Sequence, residues 1–182
     1  MRAHRRSLCL DKKIKTSVVL LSILRKLRVE GKKIVFTNGC FDILHYGHVK
    51  YLQDARNKGD ILIVGLNRDI SVRRIKGKDR PINNELDRAG VLAGLESVDF
   101  IVFFSEDNPL KLIRLLKPDL LIKGADWKDK EYVGKNLPIK VYFNKRNHNW
   151  STTALREKIY LEEKGVEPQR AQRTQSSDPR SS

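Results

Sequence analysis

Two histidines three residues apart, His45 and His48, close the run Thr37-Asn38-Gly39-Cys40-Phe41-Asp42-Ile43-Leu44-His45-Tyr46-Gly47-His48. Positions i and i+3 of a helix share a face, so both imidazoles point one way, and Gly47 between them places no Cβ in front of a ligand. At a helix start the free backbone N–H groups and the positive dipole end favour an anion, and each neutral imidazole adds a donor. That combination suits phosphate binding, with donors aimed where negative charge gathers. A zinc pair and two core histidines are the other readings of such a pattern. Zinc needs third and fourth ligands, and His4 and His148 supply no matching cluster. No metal site is therefore predicted.

The elements that must hold these residues follow from the hydrophobic pattern. Ile34–Thr37 reads as a buried strand, Asn38-Gly39 as a turn, and residues 45–58 as a helix with Val49, Leu52 and Ala55 inward. Further strand-like runs lie at 61–66, 99–104, 119–122 and 139–143, with helices at 83–96, 109–117 and 151–163. Asn83 or Asn84 and Ser151 are the expected helix caps, Pro109 suits a first turn, and Pro118 stops the helix before it. Alternation of this kind implies βαβ units and a parallel sheet with helices on both faces. In such sheets the ligand crevice lies at the carboxyl ends of the strands, where the strand order reverses. The histidine motif follows the first strand, at such an end.

Ahead of that strand, Ile14, Val18, Leu21, Leu24 and Leu27 recur at helical spacing, predicting an amphipathic N-terminal helix that Gly31 ends. Residues 1–13 are basic and unpatterned, and 164–182 are polar with almost nothing to bury, so both are expected to be disordered, leaving one domain over 14–163. The net charge is +15, but residues 1–33 carry 11 Lys/Arg against 2 Asp/Glu, residues 34–160 carry 22 against 16, and residues 161–182 carry 4 against 4. Most of the excess lies outside the expected catalytic core, which argues against nucleic acid as the main partner. Cys9 and Cys40 are too few for a disulfide framework, and the apolar stretch 18–24 is too short to span a bilayer. A cytoplasmic protein is expected. Neither the dinucleotide glycine fingerprint nor a P-loop occurs, so the phosphate site works by another arrangement.

The run 37–48 resembles the HxGH nucleotidyltransferase superfamily in its cytidylyltransferase-like branch, whose members join a nucleoside triphosphate to a phosphorylated acceptor and release pyrophosphate. Lys76-Gly77-Lys78-Asp79-Arg80-Pro81-Ile82-Asn83-Asn84, Asp87-Arg88, Glu96-Ser97-Val98-Asp99, Lys117-Pro118-Asp119, Lys123-Gly124-Ala125-Asp126-Trp127 and Ser151-Thr152-Thr153 extend the likeness over 33–159. They are most similar to bacterial heptose 1-phosphate adenylyltransferases. The resemblance implies a single Rossmann-like α/β domain with His45, His48, Lys76 and Arg88 as catalytic residues. It places Asn38, Gly39, Cys40, Phe41, Asp42, Gly47, Lys123, Asp126, Arg146, Ser151, Thr152 and Thr153 at the nucleotide. Ala125, Trp127 and the stretch 147–150 depart from the usual pattern near the base and acceptor pockets.

A sugar phosphate oxygen is already anionic at neutral pH, so attack on an α-phosphate needs no general base. The reaction instead needs two repelling polyanions aligned and the departing pyrophosphate stabilised, which is work for cations, imidazoles and Mg²⁺ carried with the triphosphate. The resemblance implies AMP transfer from ATP to a sugar 1-phosphate, D-glycero-β-D-manno-heptose 1-phosphate, giving ADP-heptose for surface polysaccharide. A CTP-dependent enzyme acting on glycerol 3-phosphate, or a similar small phosphate, is the alternative, and a nucleic-acid-binding module is the non-enzymatic one. The resemblance also implies a homodimer through the region of 96–99. A separate sugar kinase is expected, because the residues ahead of the first strand are too few to hold one.

Overall fold

The computed structural model describes residues 12–128, 132–144 and 152–164. Its elements in chain order are α1 (Ser17–Val29), β1 (Ile34–Gly39), α2 (Tyr46–Arg56), β2 (Ile61–Asn67), α3 (Asp69–Lys76) and α4 (Glu85–Ala93). There follow β3 (Phe100–Phe104), α5 (Leu110–Leu116), β4 (Leu120–Gly124), a 3₁₀ turn (Ala125–Trp127), β5 (Lys140–Asn144) and α6 (Thr152–Glu163). The five strands form one sheet in the order β3-β2-β1-β4-β5, and every pairing is parallel. The chain builds outward from β1 through β2 to β3, then crosses to the other side of β1 for β4 and β5. The reversal falls between β1 and β4, so the crevice expected of this architecture opens beside the end of β1.

Alternate residues of β1 feed two cores, as period-two side-chain direction requires. Val35 packs with Leu52 and Ala55 of α2 and Ala89, Leu92 and Ala93 of α4, while Ile34 and Phe36 pack with Leu20 and Leu24 of α1 and Leu112, Ile113 and Leu116 of α5. Helices thus cover both faces, as the sequence predicts. Local signals set their ends. Thr16 Oγ1 caps α1 by accepting from Val19 N–H, and Asn84 Oδ1 caps α4 by accepting from Leu86 and Asp87 N–H at 2.9 and 3.0 Å. Lys117 ends α5 in the left-handed region at φ 46° ahead of Pro118. The expected cap Ser151 lies outside the described residues.

Three expectations need correction. Asn38 and Gly39 belong to β1 rather than to a turn, because they continue the ladder opposite Gly65 and Leu66. Helix α3 has no counterpart in the predicted elements. On α1 the buried residues are Leu20 and Leu24, Val18 is 75% exposed, and Ile14 lies ahead of the Thr16 cap, bridged to Ile101 of β3. Among the described residues no helix is long and apolar enough to cross a membrane.

Candidate active site

Beyond Gly39 the chain must turn sharply to start α2, and Phe41 does so at φ 45°, a conformation an L residue adopts only when its surroundings hold it there. The hold is visible. Phe41 is buried in the core, its ring meets the His48 ring edge to face at 5.2 Å, and it fills the space above Gly39. A Cβ on Gly39 would stand 2.9 Å from Phe41 Cε2, so glycine is required here by close approach. The adjoining Cys40 is a free thiol. Burial pushes it up, against the nearby cations Lys76, Arg88 and Arg80, which leaves it protonated and a poor nucleophile.

His45 is the N-cap of α2. Its carbonyl accepts from His48 N–H at 2.9 Å, and its Nδ1 accepts from the same N–H at 3.4 Å. An accepting Nδ1 puts the proton of the neutral ring on Nε2, free to donate outward. The two imidazoles stack with centroids 3.9 Å apart and planes 17° apart. Burial lowers the pKa of His45. Burial, reinforced by His45, pushes His48 down to about 4 against the pull of the Ile43 backbone. Both rings are therefore neutral near pH 7, and as donors they share one face as predicted. His48 Nδ1 is buried without a hydrogen bond among the described residues.

One wall of the site is built from ion pairs. Asp42 accepts from Arg80 at 2.7 Å and from the backbone N–H groups of Ile82 and Asn83 at 2.8 and 3.0 Å, and its carbonyl accepts from Asn83 Nδ2. Burial alone would raise its pKa, but these donors outweigh it and hold the carboxyl below the usual range. Arg88 donates to the carbonyls of Cys40, Asn67 and Asn83 and to Asp69 Oδ1, the last at 2.6 Å. Its side chain is 0% exposed. The resemblance implies a catalytic Arg88, and here its guanidinium is spent on the ends of β1 and β2 and the starts of α3 and α4. Lys76 is exposed at the end of α3, on the Cys40 side of the site.

The opposite wall is β4. Lys123 Nζ donates to Asn38 Oδ1 at 2.9 Å, beside the split between β1 and β4. Thr37 Oγ1 and the Tyr51 hydroxyl bond to each other at 2.7 Å and both reach the Ile122 carbonyl, tying α2 to the two strands. Thr152 Oγ1 donates to Ile43 O at 3.4 Å, which brings the start of α6 to the motif. Asp126 lies in the 3₁₀ turn and Thr153 in α6, their side chains outside the described set, as are Arg146 and Ser151 altogether. Sequence reasoning missed Tyr51, Arg80, Asn67 and Asp69. Tyr51 follows His48 by three on the same helix face, a usable signal, whereas nothing local marks Asp69 as the partner of Arg88.

Among the described residues no group of three or more His, Cys, Asp or Glu is arranged to hold a metal ion. Asp42, the carboxylate best placed by sequence, already has three donors. Among the described side chains, then, there is no ready-made cage for Mg²⁺ within the protein alone.

Comparison with known proteins agrees with this geometry. The family model described as cytidylyltransferase-like matches residues 36–158. The chain is 53% identical over 154 residues to the bifunctional protein HldE of Campylobacter jejuni strain RM1221, covering 85% of this chain and 33% of that protein. A bifunctional protein HldE from a Nitratiruptor species is 56% identical over 137 residues, 75% of this chain and 30% of that one. This chain therefore spans about one third of the length of these relatives. Among solved structures, the lipopolysaccharide core biosynthesis protein of Thermoplasma volcanium aligns with TM-score 0.52 and 32% identity, over 64% of this chain and 98% of that chain. The pantoate-beta-alanine ligase of Francisella tularensis shares the fold, with TM-score 0.54 at 19% identity over 82% of this chain and 77% of that one.

Proposed function

The chain belongs to the cytidylyltransferase-like family of nucleotidyltransferases, and from that membership we propose that it transfers AMP from ATP to a sugar 1-phosphate, D-glycero-β-D-manno-heptose 1-phosphate, releasing pyrophosphate and forming ADP-heptose. The observation that carries the reaction type is the stacked pair His45 and His48 at the N-terminus of α2, beside the β1/β4 split. The choice of heptose phosphate rests on the likeness to the HldE proteins.

In this reading an anionic oxygen of the sugar phosphate attacks the α-phosphorus. A new P–O bond forms as the bond to the β-phosphate oxygen breaks, and its electron pair leaves with pyrophosphate. Mg²⁺ carried with the nucleotide triphosphate would neutralise part of its charge. The chain supplies alignment and donors. His45 Nε2–H and the α2 N-terminus face the phosphates, neutral imidazoles hold their N–H groups toward the leaving oxygens, and exposed Lys76 receives acceptor charge. No side chain takes a proton, which matches two rings whose basicity burial has lowered.

Incubating the protein with each nucleoside triphosphate, Mg²⁺ and candidate acceptors while following pyrophosphate tests this reading. ATP with heptose 1-phosphate is the expected productive pair. Turnover with CTP alone would overturn it and favour a cytidylyltransferase for glycerol 3-phosphate or a similar small phosphate.

A further inference from the structure

Lys123 is a buried cation without a counter-ion among the described residues. The residue is 9% exposed, its ammonium donates to the neutral amide of Asn38, and the Trp127 ring lies 6.0 Å away. Among the described side chains no carboxylate pairs with it, whereas the half-buried Arg80 and the buried Arg88 each have one. An amide oxygen and a distant aromatic face do not offset the loss of water around an ammonium. Burial accordingly pushes Lys123 down to about 8. A cation in this state at the mouth of a ligand crevice lacks the negative charge that a ligand would bring.

We propose that Lys123 binds an anionic phosphate oxygen of a substrate, and so contacts the reacting phosphates rather than reading the nucleoside. This rests on the nucleotidyl-transfer reading above. A lysine kept only to brace Asn38 would contribute to stability and leave phosphate affinity alone. A lysine kept for a ligand does the reverse, since removing an uncompensated buried charge relieves the empty protein.

Lys123→Met keeps the aliphatic stem and removes the charge. In the ligand-free protein this variant should melt no lower than the wild type. Calorimetric titrations with Mg·ATP and with heptose 1-phosphate should show a loss of roughly tenfold or more for at least one of them. The ligand that loses affinity identifies whose phosphate Lys123 meets. In two buffers of different ionisation enthalpy, at a pH just above 8, the wild type should take up protons on binding that ligand and the variant should not. Wild-type affinity for both ligands, or a lower melting point in the variant, would overturn the proposal. If the wild type turns over CTP instead of ATP, CTP replaces ATP in the titration, so a wrong base assignment and a wrong role for Lys123 give different results.

Discussion

Asp42 and Arg88, on one side of the crevice, accept three and donate four hydrogen bonds to protein groups, each within an ion pair. Across from them, among the described residues, Lys123 has a single amide partner and His48 Nδ1 has none. Both sides are buried, so burial alone does not separate residues that build the site from those left for a ligand. Saturation does. A buried charge with all its partners in the protein fixes the geometry of several elements at once, while one short of partners remains free to gain them from substrate.

The contrast is open to attack at four points. Arg88→Met should have the largest effect, a loss of about 3–5 kcal/mol in urea unfolding, because it strands three carbonyls and Asp69. An unchanged midpoint would deny that Arg88 is a clamp. His48→Ala should lower turnover by roughly 10²–10³ with far less change in stability, as expected on loss of one preorganised donor. Wild-type rates of pyrophosphate release in that variant would remove the histidines from the mechanism. Gly39→Ala should cost about 1–3 kcal/mol through the clash with the Phe41 ring, read from the melting curve together with altered His48 ring signals in NMR.

The fourth test is in acid. The folded-state pKa of Asp42 lies below the ordinary 3.8, so its stabilisation is present above that value and is lost as pH falls through the lower, folded one. His48 has a folded pKa of about 4 against an ordinary 6.5, so its contribution is full above 6.5 and fades as pH drops toward 4. Stability measured against pH should thus decline in two stages. Asp42→Asn should flatten the lower stage and His48→Ala the upper one, and a single decline unchanged by either variant would contradict both assignments.

The strands and most helices were legible because β-branched runs and capped apolar stripes carry their own signal, as in β1, β2 and α4. Helix α3 was not, because its apolar residues do not form a buried stripe. Ile70 and Ile75 are exposed, and the helix buries Ser71 and Val72. The His45 and His48 face was readable from spacing alone. The interior position of Arg88 was not, since its partners Cys40, Asn67, Asp69 and Asn83 are brought to it only by the tertiary fold. Family likeness marked Arg88 and Lys123 alike as ligand-facing cations, and the partners each finds within the fold tell them apart.

The ladder of β1 runs without a break through Asn38 and Gly39, the first two residues of the nucleotide-site run to follow Thr37. That ladder is with β2 alone, since the pairing of β1 with β4 stops at Phe36 and leaves these two residues facing the split on that side. Consecutive strand amides point to opposite neighbours, so whichever of the two faces β4 should exchange faster than that of Phe36. The site then begins where one edge of β1 is held by β2 and the other is left unlaced for a ligand to meet.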